Sequence, residues 1–129
     1  MGKRIFLFCL FCFLFFIKYS FAVDKFIVYF FYTKPATGNI VKIERFTKDV
    51  LRTKIVKNVT ITYKAIDLDN PNNKRFFDDF NTYDKTLLIA TDNSKYYKKF
   101  DNIWVLLKDE EEFKKYLTRQ IKFFIKYIR

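Results

Sequence analysis

Histidine is absent from all 129 residues, and cysteine occurs only twice, at Cys9 and Cys12. Glycine and proline number two each, so a fold of regular elements joined by short connections is expected. Acids are outnumbered, with 14 Asp and Glu against 25 Lys and Arg. What is abundant is apolar: half the residues are hydrophobic and 22% are aromatic. That content supplies a packed core and argues against disorder. The length suits one domain.

The first segment is laid out as a secretory signal peptide. "MGKR" is basic, "IFLFCLFCFLFFI" from Ile5 to Ile17 is apolar, and "KYSFA" places Ser20 and Ala22 at −3 and −1 of a cleavage site. As a helix the apolar run rises only about 20 Å, short for a bilayer core. Residues 1–22 therefore read as the signal, and 23–129 as a secreted or periplasmic domain. The rival is an uncleaved membrane anchor, with Lys18 snorkelling and the apolar residues from Phe21 to Tyr32 following it.

This placement removes both cysteines from the mature chain. What remains can form no disulfide and run no thiol chemistry, no Ser-His-Asp triad and no His-ligated metal site. The reading is of a binding protein and not an enzyme, with no cofactor and no metal. Lys3, Arg4 and Lys18 also leave, so 22 basic residues face 14 acids, a net charge of +8 that attracts anionic partners.

Along the chain, "KFIVYFFY" (25–32) reads as a strand buried on both faces, hence a central one. After Pro35, Gly38 or Asn39 is placed to cap a helix running to about Lys54. Ile40, Ile43, Phe46, Thr47, Val50 and Leu51 form its apolar face, and Lys42, Glu44, Arg45, Lys48, Asp49 and Arg52 fill much of the other side. "NVTITYKAID" (58–67) alternates as a strand, with Val59, Ile61, Tyr63 and Ala65 on one face. "DLDNPNN" turns into a short helix capped by Asn70, with Pro71 at its first position and Phe76, Phe77 and Phe80 on its apolar side. "KTLLIAT" is a strand, "DNS" a hairpin turn and "KYYKKF" an edge strand, followed by the short element "DNIWVLL", whose Trp104 is assigned to the core. The last helix opens on an Asp109–Glu112 capping box. Its stripe is Phe113, Leu117, Ile121, Phe124 and Ile128, and its basic face is Lys114, Lys115, Arg119 and Lys122.

The order β-α-β-α-β-β-α, with two βα connections read as parallel crossovers and a final hairpin, is that of an α/β, thioredoxin-like fold with a mixed central sheet. In that fold the loop after the first strand carries a Cys-x-x-Cys at a helix start, where the helix end lowers a thiol pKa. The loop here is "FFYTKPATGNI".

The chain also resembles the small secreted thioredoxin-like family called nitrophenyl compound nitroreductase subunit ArsF. The resemblance runs from about Lys25 to Ile128 and is carried by "VYFFY", "KIERFTKDVL", "IDLDNPNN", "KTLLIA" and "FDNIWVLLKDEEEFKKYL". It implies a redox-type accessory subunit. Placed on the family's pattern, the two cysteine positions fall on Thr37 and Ile40, the His position on Tyr32 and the Arg position on Ala36. Every reactive member is replaced. The expected function is thus a redox-inactive binding or accessory protein. The alternatives are an electron-transfer subunit of a nitroaromatic-reducing system and a membrane-tethered basic binding domain. The degenerate loop of Tyr32, Lys34, Thr37, Gly38, Asn39 and Ile40 is the candidate binding site.

Other features have simpler readings. Thr33 and Thr37 have no base beside them, so their hydroxyls serve the backbone. Free N–H groups near Gly38 and Asn39, with Lys34, form a candidate anion site. Asp67 and Asp69 lack the glycine and distal glutamate of a calcium loop and read as turn and cap residues. The expected partner is a protein, with an anionic ligand or membrane surface as a further class and no nucleic acid.

Overall fold

The computed structural model describes residues 24–129. The segment read as a signal, residues 1–22, lies outside the described residues. Strand β1 (Lys25–Tyr32) leads into helix α1 (Gly38–Arg52), then β2 (Thr60–Asp67). A 3-10 turn (Pro71–Asn73) and α2 (Lys74–Asp79) precede β3 (Thr86–Thr91) and β4 (Tyr97–Lys99). The short α3 (Ile103–Leu106) and the long α4 (Glu110–Ile128) close the chain.

The sheet order is β2-β1-β3-β4. β1 pairs with β2 in parallel and with β3 antiparallel, and β4 pairs antiparallel with β3 at the edge. The chain is therefore α/β with a mixed four-stranded sheet. The central place expected of β1 is observed, and its pleat explains its apolar run. Phe26, Val28 and Phe30 face one core while Tyr29 and Phe31 face another. The first core is roofed by α1 and α4 through Ile43, Phe46, Phe113 and Ile121. The second is covered by α2, whose Phe76 and Phe80 stack on Tyr29 at ring separations of 5.8 and 4.9 Å.

Only one of the two βα connections is a parallel crossover, which corrects the expectation of two. β3 runs antiparallel to β1 and enters beside its carboxyl end, with Phe31 opposite Thr86. The reason is length. The six-residue α2 rises about 9 Å, while an eight-residue strand spans about 26 Å, so this helix cannot return the chain to the far end of the sheet.

Smaller corrections are local. Thr37, not Gly38 or Asn39, is the N-cap of α1, and its side chain makes no capping bond. α1 ends at Arg52, two residues short of Lys54. β2 begins at Thr60, because Asn58 adopts a left-handed φ of 63° in the preceding turn. Ala65 is exposed, whereas Ile66, on the opposite face, is buried. Trp104 is exposed, since α3 is one turn long and turns Ile103 inward. Ile128 is half-buried, and Ile125 completes the stripe of α4. Asp109 accepts from the Glu112 backbone N–H at 3.2 Å as expected. The Asp109 N–H instead donates to the Leu106 carbonyl, so the box is half formed.

Thr47 lies fully buried in α1, and its hydroxyl has no partner among the described residues. Valine has nearly the same shape without the unmet hydroxyl. Thr47→Val is therefore expected to stabilise the domain by about 1–2 kcal/mol, read as a shift in a urea midpoint at constant slope.

Candidate functional site

Parallel pairing brings the ends of β1 and β2 to the same level, with Tyr32 opposite Asp67. In open α/β sheets this carboxyl edge is where ligands bind. The loop from Thr33 to Thr37 crosses this edge and feeds α1. The Lys34–Pro35 peptide in it is cis. Backbone bonds tie the strand ends together, since the Leu68 N–H donates to the Tyr32 carbonyl at 2.8 Å.

Lys34 turns back over the sheet edge and pairs with Asp67 at 3.3 Å. The Asp67 carboxylate also accepts from the Asp69 backbone N–H at 2.9 Å. Asn70 accepts from the Asn72 N–H at 3.0 Å. These residues thus do the turn and cap work that their sequence context implied. The lysine proposed to draw an anion toward Gly38 and Asn39 already has a carboxylate partner. α1 also has no acid in its first turn.

Beside the loop lies an open groove of about 710 Å³. Tyr32, Lys34, Ala36, Ile40, Val41 and Glu44 form most of its wall, and Pro35 and Ala65 complete it. Of the six predicted site residues, the groove gathers Tyr32, Lys34 and Ile40. Thr37, Gly38 and Asn39 are not in its wall. They are exposed at the helix start, and a Cβ on Gly38 would meet nothing within 4 Å.

Val41 and Glu44 are the residues that sequence reasoning missed. Val41 is the next residue of α1 and Glu44 lies one turn beyond Ile40, so extending the loop by one turn of helix would have found them. Val41 is 53% exposed, an apolar side chain left open beside the groove. Glu44 was assigned to the solvated side of α1, yet it reaches β2. Its Oε2 accepts from the Tyr63 hydroxyl at 3.0 Å and its Oε1 from Lys48 at 3.4 Å. Lys48 in turn sits 5.4 Å from the Tyr63 ring centre. Burial raises the Tyr63 pKa, and the hydrogen bond and charge of Glu44 raise it further.

The Tyr63–Glu44 bond locks α1 to β2 beneath the groove. Tyr63→Phe is expected to cost about 0.5–1.5 kcal/mol at neutral pH. It should also change the alkaline limb. The folded phenol keeps its proton above the ordinary value of 10.0, so its stabilisation is complete below that pH and lost as pH rises beyond it. Denaturation followed from pH 8 to about 11 should show a shallower decline in Tyr63→Phe than in the parent.

The groove thus offers an apolar floor from Ile40, Val41, Pro35 and Ala36, with a lysine and a glutamate at its margins. It holds no nucleophile paired with a base, and it suits recognition of a side chain or short peptide segment. No family model, curated protein or solved structure matches the chain.

Proposed function

We propose that the chain is an exported thioredoxin-fold protein that carries no redox pair and works by binding a partner at the groove beside its first loop. The observation that carries this reading is the junction of β1, loop and α1 at the carboxyl edge of the sheet. Thr37 is the N-cap there and Ile40 follows three residues later, the spacing that a helix-start Cys-x-x-Cys would take. The strand order, with β1 and β2 parallel and β3 and β4 antiparallel, supports it. So does the lack of Cys and His throughout residues 24–129. The chemistry of the groove supports a binding role, because apolar area is presented with one charge of each sign beside it.

The test is insulin disulfide reduction by the purified protein, with its absorbance spectrum recorded on the same sample. The reading expects no turnover above background and no visible chromophore. Turnover would contradict it. A flavin or haem band would assign the chain to electron transfer instead, as an accessory subunit of a reducing system.

A further inference from the structure

The geometry points to a second surface, at the opposite end of the chain's elements, that binds the face of an anionic lipid bilayer. It is formed where the hairpin of β3 and β4 meets the carboxyl half of α4. Tyr96 lies there with Phe123 and Tyr127 in a shallow groove of about 620 Å³, while Tyr97 borders it with its ring turned to the other face of the sheet, edge-on to Phe80 at 5.3 Å. The two α4 rings are not core. Phe123 is 59% exposed and Tyr127 86%, one turn apart on the side of α4 away from its buried stripe. The helix therefore has a second apolar stripe that nothing among the described residues covers.

Within this groove the charge has one sign, although Tyr96 also borders a small pocket with Asp24 and Asp92. Lys95 and Lys98 line the groove with the rings. Phe123 also borders a neighbouring groove with Arg119, Lys122 and Lys126, so the basic surface continues across α4. None of these five cations makes an ion pair among the described residues. On the same helix, Lys114 and Lys115 are matched by Glu110, Asp49 and Glu111. The acids of α4 are thus spent in its first turn and none reaches the aromatic end.

Exposed aromatic rings interleaved with lysines form the chemistry of a membrane interface. The rings enter the headgroup region, and lysine stems lie along apolar surface while their ammonium groups meet lipid phosphates. An acidic protein would satisfy the charge but leave the rings without a stated counterpart. A nucleic acid would satisfy both, yet the leader read in the apolar run Ile5–Ile17 would bring the chain to a membrane and away from nucleic acid.

Co-sedimentation tests the assignment, using vesicles of phosphatidylcholine alone and of phosphatidylcholine mixed with phosphatidylglycerol. Binding to the mixed vesicles, weakening as salt rises, is expected. Lys98→Gln combined with Lys126→Gln should weaken it about 25-fold, fivefold for each lysine. Phe123→Ser should weaken it about tenfold. All these side chains are exposed, and melting curves matching the parent's will show that the variants fold. Lys42→Gln combined with Lys54→Gln removes the same charge elsewhere and should change binding less than about twofold. Equal loss from both pairs, or equal binding to neutral vesicles, would overturn the assignment. So would capture of a polyglutamate peptide without any vesicle binding, which would give the surface to an acidic protein.

Discussion

Phe113→Ala is expected to destabilise the domain by about 3–5 kcal/mol. Phe113 opens the buried stripe of α4, is fully buried, and meets Phe46 edge-on with ring centres 5.3 Å apart. That contact joins the two helices that roof the larger core. Its loss removes apolar area and also leaves a cavity between helices already pinned by the Lys114–Asp49 bridge at 3.1 Å, which limits collapse. For a domain of this size each kcal/mol moves Tm by roughly 4–8 °C, so a fall on the order of 15–30 °C is expected. Val105→Ala is the control. Val105 is 67% exposed on α3, and its truncation should stay within about 0.5 kcal/mol. A thermal melt of the three proteins decides the matter. Similar shifts in both variants would mean that α4 is not packed as described.

Thr37→Cys combined with Ile40→Cys is expected to confer dithiol chemistry on residues 24–129, which contain no cysteine. Thr37 has an extended backbone (φ −79°, ψ 173°) and is the N-cap of α1, so a thiol there stands at the positive end of the helix dipole, although the native hydroxyl makes no capping bond. Such positions lower a cysteine pKa from about 8.5 to about 7, raising the thiolate fraction at neutral pH roughly 15-fold. Ile40 is buried at 6% exposure, so a thiol there is shielded and suited to resolving the first. The single variant Thr37→Cys should alkylate with a midpoint near pH 7, against about 8.5 for a cysteine placed at Val105. The double variant should oxidise to an intramolecular disulfide and reduce insulin. An ordinary pKa at Thr37→Cys would show that the helix start does not present its N–H groups to that side chain.

Much of the fold was legible because its signals are local. β1 announces itself by an unbroken apolar run, α4 by its acidic start and apolar stripe, and the hairpin by "DNS". The direction of β3 was not legible. It depends on the length of α2 and on which side of β1 the returning strand finds room, and neither leaves a mark in "KTLLIAT". Trp104 was misassigned because size alone suggested burial, whereas the single turn of α3 decides which side faces in. At the site, the loop was found by its place between strand and helix. Lys34 and Glu44 were read without their partners. Asp67 and Tyr63 lie 33 and 19 residues away, on β2, and only the parallel pairing brings them near.

The central claim is that the groove beside the loop is where this protein binds. Native purification followed by mass spectrometry, run side by side on the parent, Val41→Glu and Val105→Glu, tests it most directly. Val41 is an exposed residue of the groove, and Val105 is exposed outside it. The account predicts a stoichiometric companion that travels with the parent and with Val105→Glu and is lost from Val41→Glu. A companion retained by all three, or lost equally from both variants, would contradict it.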